Sequence, residues 1–116
     1  SWQHDGMVVC PCSMSSLASI ATGAGTNLLH RAADVTLKER RPLILVPRES
    51  PLSRIHLRNI KEAADYGCIV VPPVLTFYNG ADTVEKQIQH IVGKILMQFH
   101  IPYRDFVPWQ GGKPMV

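Results

Sequence analysis

The chain has 116 residues, a formal net charge of +3 at neutral pH, 46% hydrophobic and 18% charged residues. This length allows one compact domain, and the composition is that of a globular protein. The basic residues are spread along the chain, so they do not form the aromatic-interleaved block of a nucleic-acid-binding protein. No apolar run approaches the roughly 20 residues of a membrane span. The N-terminal SWQHDG lacks the layout of a secretory signal, and a cytoplasmic location is expected.

The cysteines and histidines predict neither a metal site nor a disulfide framework. Cys10 and Cys12 are one residue apart and Cys68 stands alone, so the C-x2-C pairs of zinc modules are lacking. The five histidines have no HxxxH or HExxH spacing, and we interpret them as surface or hydrogen-bonded residues. We expect Cys10 to be a small buried hydrophobe, and Cys12 is the better candidate for contact with a ligand.

Three short apolar runs predict buried strands at residues 7–10, 43–47 and 68–71. Their unbroken apolar character favours a parallel sheet. Three amphipathic stretches predict helices between and after the strands. The first begins at Thr26 or Asn27, the second lies between Pro51 and Gly67, and the third begins at Asp82 or Thr83. The apolar stripes expected to face the core are Leu28, Leu29, Ala32, Ala33 and Leu37, then Leu57, Ile60 and Ala64, then Val84, Ile88, Ile91, Val92, Ile95 and Phe99.

Strands that alternate with helices predict an α/β fold whose ligands bind beyond the carboxyl ends of the strands. The first such loop, PCSMSS, offers hydroxyls and helix N-terminal N–H groups for an anion or a polar ring edge, although Ser13 and Ser16 are equally suited to plain capping. The second loop carries Arg48 and Glu49, which suit phosphate binding and proton transfer or form a salt-bridged loop. The third carries Phe77 and Tyr78, an aromatic wall or a core contact. The G-x-G of TGAGTN is a weak nucleotide signal because it does not directly follow a strand.

Several long blocks of the chain resemble the flavin prenyltransferase family of UbiX type, formerly called aromatic acid or phenylacrylic acid decarboxylase subunits. The blocks are PCSM, the stretch from NLLHRAADV to LVPRE, and PPVLTFYN, and the resemblance runs from about Met7 to Trp109. It implies a Rossmann-like, flavodoxin-type three-layer sandwich with a parallel sheet. It also implies a homo-oligomer, typically a dodecamer.

The resemblance implies a metal-independent transferase. Its reaction joins the dimethylallyl group of dimethylallyl phosphate to reduced FMN, first at N5 and then at C6. The product, prenylated FMN, would serve UbiD-type decarboxylases as their cofactor.

Candidate site residues follow from the matching motifs. The resemblance assigns FMN contacts to Ser13, Met14, Ser15, Ser16 and Arg31, with a catalytic part for Ser13 and proton transfer for Glu49. The same resemblance assigns the dimethylallyl phosphate to Lys38, Arg48, Tyr78 and Lys94, and the prenyl pocket to Trp109.

Two departures from the family pattern stand out. Lys94 occupies the position of a family arginine, and lysine lacks the bidentate fork of that side chain. The family's first strand and its glycine-rich phosphate loop have no counterpart in this sequence. We therefore expect either a piece of a longer polypeptide or a domain that a second chain completes, because a parallel sheet without its first strands exposes an edge.

Residues 1–100 are expected to form the flavoprotein α/β domain, and residues 101–116 an extended C-terminal arm. Two alternative functions remain open. One is a flavin-dependent cysteine decarboxylase of the same superfamily, although such proteins carry PASANT where this chain has PCSMSS. The other is a non-catalytic FMN-binding fragment.

Overall fold

A computed structural model describes residues 4–103 of the chain. The chain divides into two compact units, residues 1–72 and residues 73–116. The first unit contains a parallel three-stranded sheet of order β1-β2-β3, with strands β1 (Met7–Cys12), β2 (Leu43–Pro47) and β3 (Ile69–Val70). Its helices are α1 (Met14–Thr22), α2 (Leu28–Lys38) and α3 (Arg54–Asp65), and the second unit contains α4 (Val84–Met97). The predicted parallel α/β fold of flavodoxin-like kind is confirmed.

The helices begin at side chains that cap their first turns. Ser13, Asn27, Ser53 and Thr83 are the N-caps of α1 to α4, and each accepts a hydrogen bond from the backbone N–H three residues later. Such a cap satisfies one of the four N–H groups that a helix leaves unpaired, which is worth about 1 kcal/mol. The predicted starts at Asn27 and Thr83 are therefore confirmed. Helix α3 begins later than Pro51, because Ser53 and His56 form a reciprocal capping box there.

The core of the first unit lies against one face of the sheet. Val9, Cys12, Leu43 and Leu45 from the strands meet Leu17 of α1, together with Ile20, Ala33 and Ala63 from the three helices. All five residues of β2 are buried, as expected for a central parallel strand. Burial of each large aliphatic side chain is worth about 1.5–3 kcal/mol, so this cluster fixes the positions of the strand ends.

The predicted apolar stripes of two helices are correct only in part: Ala33 and Leu37 of α2 and Ile60 of α3 lie in or against the core, but other members do not. Leu28, on the predicted α2 face, is 83% exposed, and the buried residues of α2 are His30, Ala33 and Thr36. On α3, Leu57 is 52% exposed, and the buried residues are Asn59 and Ala63. Several larger apolar residues of both helices, among them Leu28 and Ile55, remain on the surface, which is typical of a contact between subunits.

In α4 the predicted stripe is buried only in part. Ile95 is buried, whereas Val84 and Ile88 at the start of the helix are 78% and 55% exposed. No helix among residues 4–103 is long and apolar enough to cross a membrane. The predicted arm at residues 101–116 lies, beyond Tyr103, outside the described residues.

Candidate active site

The ends of two neighbouring strands bring two predicted site segments together. One is the PCSMSS stretch of residues 11–16, which we call the serine loop, and the other is the Arg48–Glu49 pair. Cys12, the last residue of β1, is paired with Pro47, the last residue of β2. Ser13 and Arg48 each follow directly, so they begin adjacent loops at the carboxyl edge of the sheet. Neighbouring strands lie about 4.8 Å apart, which brings both loops within reach of one small ligand. This edge is where ligands bind in open parallel α/β sheets.

The serine loop presents the positive end of α1 to this edge. The Ser13 hydroxyl accepts the N–H of Ser16 at 3.0 Å, so Ser13 has the predicted capping role. Ser13 and Ser15 are nevertheless exposed, and the remaining N–H groups of the first turn face the same opening. Met14 is buried in the core, so only its backbone is available to a ligand. Helix N-termini of this kind bind anions.

Arg48 and Glu49 are both exposed at the edge of the sheet. Among residues 4–103, neither side chain lies in an ion pair with a protein group. Within this described part of the chain, the alternative of a salt-bridged loop is therefore not formed. A guanidinium and a carboxyl that lie in no ion pair there leave one cation and one proton carrier available to a ligand.

Arg31 directly follows His30 on α2, and the side chain of His30 connects α2 to the serine loop. The His30 ring is buried, and its Nε2 lies 3.1 Å from the Ser16 hydroxyl, which joins α2 to α1. Arg31 itself is exposed, and it lines a small cavity of ≈ 40 Å³ with Ser19 and Asp34. Arg31 is thus positioned on the surface beside α1. The sequence indicated a hydrogen-bonded histidine, but only the structure identifies Ser16 as its partner.

The glycines of TGAGTN have structural roles between α1 and α2. Gly23 ends α1 in a left-handed conformation, at φ +70°. A Cβ at Gly25 would lie 2.2 Å from the Cβ of His30, so any larger residue would push the loop away from α2. The G-x-G spacing therefore serves helix packing and is explained without a nucleotide.

Lys38 lies at the opposite edge of the sheet. It is the last residue of α2, and a tight turn of four residues leads from it to the start of β2. It lines a cavity of ≈ 610 Å³ together with Tyr66, which precedes the start of β3, and with Glu62 of α3. Because β2 is five residues long, about 16 Å of strand separates this edge from the Arg48 edge. Within one chain the structure does not bring Lys38 and Arg48 together.

The two thiols of the CPC stretch have exposures opposite to those predicted. Cys12 is fully buried in the core and Cys10 is exposed. Cys10 follows the buried Val9 and takes the opposite, exposed face by regular alternation, whereas a register shift between Val9 and Cys12 returns Cys12 to the buried face. Burial raises the pKa of Cys12 to about 11, with a further contribution from Cys68. Cys12 is therefore a core residue and not the predicted ligand contact.

The burial of Cys12 and Cys68 predicts their reactivity. Burial also raises the pKa of Cys68 to about 11, so neither thiol forms much thiolate at pH 8. We expect iodoacetamide to modify Cys10 in the folded protein and to reach the other two only after unfolding in guanidinium. Peptide mapping by mass spectrometry measures this. Rapid labelling of Cys12 in the folded protein would contradict its placement in the core.

The second unit carries two further candidates. Tyr78 lies in the loop before α4 and is 54% exposed. Lys94 is half-buried on α4, one helical turn after His90. Trp109 lies outside the described residues. Among residues 4–103, no three His, Cys, Asp or Glu residues are grouped so that they could hold a metal ion.

A parallel sheet with a helix N-terminus and a cation–carboxyl pair at its carboxyl edge defines a flavodoxin-like, ligand-binding α/β protein. The chain belongs to the Flavoprotein family, whose model matches residues 1–100. Among curated proteins, it is 58% identical over 113 residues to the "Probable UbiX-like flavin prenyltransferase" of Sedimentibacter hydroxybenzoicus, covering 97% of this chain and 60% of that protein. It is 46% identical to "Flavin prenyltransferase UbiX" of Pseudomonas aeruginosa, covering 97% of this chain and 53% of that protein.

Solved structures agree with this relationship. The fold matches AnUbiX in complex with FMN and dimethylallyl pyrophosphate with a TM-score of 0.92 at 48% identity, over 97% of this chain and 60% of that one. A dodecameric FMN-dependent UbiX-like decarboxylase from Escherichia coli O157:H7 matches with a TM-score of 0.89 at 48% identity, over 94% of this chain and 59% of that one. The chain thus spans slightly more than half the length of these relatives.

Proposed function

We propose that the protein is a flavin prenyltransferase, which transfers the dimethylallyl group of dimethylallyl phosphate to reduced FMN. The observation that carries the proposal is the adjacency of the Ser13 loop and the Arg48–Glu49 pair at one edge of the sheet. The similarity to AnUbiX, whose structure contains FMN and dimethylallyl pyrophosphate, supports it. The chemistry needs an anion site, a cation for the leaving phosphate and a group that carries a proton. All three are present at this edge.

Arg48 would hold the phosphate of the prenyl donor. When the carbon–oxygen bond of the donor breaks, its electron pair leaves with the phosphate, and negative charge grows on the oxygen that Arg48 would bind. A guanidinium stabilises that charge more strongly in the transition state than in the bound substrate. Since Arg48 lies in no ion pair within residues 4–103, its full charge is available for this purpose.

Glu49 would move a proton at the flavin ring. The first new bond, to N5, replaces an N–H proton of the reduced flavin, and the second, to C6, replaces a ring C–H proton. A carboxylate beside the phosphate site is suited to accept a proton at this stage, and the protonated form can return it to the alkene carbon of the prenyl group. The exposed position of Glu49 at the carboxyl edge supports this assignment.

FMN would bind at the start of α1. The hydroxyls of Ser13 and Ser15 and the free N–H groups of the first turn suit the polar edge of the isoalloxazine ring. Ser16 is held by His30, and Arg31 follows His30 on the same helix, so its guanidinium would bind the flavin from the α2 side. Ser13 would orient the flavin for the transfer.

Lys38 and Arg48 would act in one site only if two copies of the chain contribute to it. They lie at opposite edges of the sheet within a single chain. The exposed apolar residues Leu28 and Ile55, at 83% and 62%, support contacts between subunits at the surfaces of α2 and α3. The dodecameric relative supports a homo-oligomer for this protein. Tyr78, Lys94 and Trp109 remain proposed donor ligands, and a UbiD-type decarboxylase remains the proposed recipient of the product, in the cytoplasm.

A titration of FMN into the complete protein, followed by flavin fluorescence, tests the proposed cofactor site. We expect quenching with a micromolar or lower Kd, weakened when Ser13 and Arg31 are replaced together by alanine. The replacement of Ser50, another exposed serine at this edge, by alanine is the matched control. Absence of FMN binding by the complete protein would contradict the proposal.

A further inference from the structure

The loop that carries Tyr78 is held against α4 by hydrogen bonds to the side chain of Gln87, and we call each such set of hydrogen bonds between this loop and α4 a fastening. We define the Tyr78 segment as residues 73–82. Gln87 is only 7% exposed and uses its whole amide. Its Oε1 accepts the N–H of Thr76 at 3.0 Å, and its Nε2 donates to the carbonyls of Thr76 and Ala81, the latter at 2.8 Å. One side chain thus bonds both backbone groups of Thr76, as a neighbouring strand would.

A second fastening joins His90 to Asn79. The Asn79 side-chain oxygen accepts the N–H of Ala81 at 3.2 Å, which fixes the orientation of the amide. The amide nitrogen of Asn79 therefore faces Nδ1 of His90, at 3.0 Å, and donates to it. His90 must keep Nδ1 unprotonated to accept this bond. Burial, and next the charge of Lys94 on the same helix, lower the pKa of His90 and so favour the neutral ring.

The two sets of hydrogen bonds flank Tyr78 in the sequence, one before it and one after it. Thr76 lies two residues before Tyr78 and Asn79 directly follows it, and both are bonded to buried side chains of α4 that are one turn apart. Tyr78 itself remains 54% exposed, and its hydroxyl makes no hydrogen bond to another side chain or backbone group within residues 4–103. The neighbours of Tyr78 are therefore fixed, whereas its side chain is available to a ligand.

We infer that Gln87 and His90 are positioning residues, which hold the Tyr78 segment so that the Tyr78 hydroxyl meets the phosphate of the prenyl donor. This inference rests on the proposed function, in which Tyr78 binds that phosphate. A hydroxyl that is already held in place loses less conformational entropy when the donor binds. The free-energy cost of binding is therefore lower. Without these hydrogen bonds, the backbone groups of Thr76 and Ala81 would be hydrogen-bonded to water instead, and Tyr78 would sample several positions.

The first test replaces Gln87 by methionine, which keeps the length of the side chain and removes its three hydrogen bonds. We expect the KM for dimethylallyl phosphate to rise about tenfold, since loss of a net 1–1.5 kcal/mol corresponds to that factor. The kcat and the Kd for FMN should change less than about twofold. The matched control is Gln89→Met on the same helix, because within residues 4–103 the Gln89 side chain makes no hydrogen bond. Thermal melting verifies that each variant is folded.

A double-mutant cycle separates positioning of Tyr78 from a general loss of structure. If Gln87 acts through Tyr78, Gln87→Met should have no further effect on the donor KM when Tyr78 is already phenylalanine. Independent, additive effects of the two changes would overturn the inference. Asn79→Ala removes the second fastening, and the same cycle with Tyr78→Phe gives an answer if Gln87→Met does not fold.

The outcomes also distinguish this inference from the proposed function. If the wild-type protein prenylates FMN and Tyr78→Phe leaves the donor KM unchanged, the function stands and the positioning inference is overturned. If the wild-type complete protein forms no prenylated flavin with either dimethylallyl phosphate or the diphosphate, the function fails, and the inference fails with it.

Discussion

Replacement of Glu49 by glutamine should slow prenyl transfer by about 10²- to 10⁴-fold, the range that a positioned acid or base contributes. Glutamine keeps the shape and polarity of the side chain but cannot accept or return a proton at neutral pH. FMN binding should stay within about twofold of wild type, because the serine loop and Arg31 would hold the flavin. Single-turnover assays with reduced FMN and dimethylallyl phosphate measure the rate, and flavin fluorescence measures the binding.

The matched control for this substitution is Glu85→Gln. Glu85 is an exposed carboxylate in the first turn of α4, and its neutralisation costs a few tenths of a kcal/mol at most. Its rate should equal that of the wild type. A Glu49→Gln enzyme that transfers the prenyl group at the wild-type rate would remove Glu49 from the mechanism and leave its exposed carboxyl without an assigned role.

Replacement of Arg48 by alanine should reduce prenyl transfer much more than FMN binding. A hydrogen bond to a charged group is worth about 1.5–3 kcal/mol, so kcat/KM for the donor should fall by about ten- to a hundred-fold or somewhat more. The effect should be larger on kcat than on donor binding, because the departing phosphate carries more negative charge in the transition state than in the bound donor. Arg48→Lys should recover only part of the loss, since lysine lacks the bidentate fork.

Arg58, an exposed arginine of α3, provides the control for the change in net charge. Arg58→Ala should leave both transfer and FMN binding at the wild-type level. Equal losses of FMN affinity and turnover in Arg48→Ala would show that Arg48 binds the flavin and not the prenyl donor. Unchanged turnover would remove it from the site.

Much of the fold could be predicted because its signals are local. The strand at residues 43–47 is apolar at every position, and a strand buried on both faces has this pattern. Asn27 and Thr83 start their helices through contacts with residues three positions ahead. The faces of α2 and α3 could not be predicted as well. Several of their larger apolar residues stay exposed while Leu37 and Ile60 pack against the core, and hydrophobicity alone does not separate a core face from a subunit contact.

The candidate site was predictable where topology alone determines it. Adjacent parallel strands place Ser13 and Arg48 at the same edge, and the sequence order is enough to infer this. The same topology puts Lys38 at the other edge, which the motif resemblance did not reveal because it carries no geometry. The burial of Cys12 depends on a strand irregularity that alternation rules do not anticipate.

The fastening of the Tyr78 segment could not be predicted from sequence. It depends on side chains that meet across 11 residues of sequence, from Thr76 to Gln87 and from Asn79 to His90. Glutamine and histidine inside an amphipathic helix usually face solvent, and no spacing rule marks these two as buried. Only the packed structure shows that both side chains turn toward the loop.

The proposed activity of this protein is the joining of a prenyl group to reduced FMN. The most direct test incubates the complete protein anaerobically with reduced FMN and dimethylallyl phosphate and determines the mass of the flavin product. We predict a flavin heavier by one isoprenyl unit, formed without added metal and strongly reduced in Arg48→Ala and Glu49→Gln. Recovery of unmodified FMN alone from a protein that is folded and flavin-bound would contradict the claim.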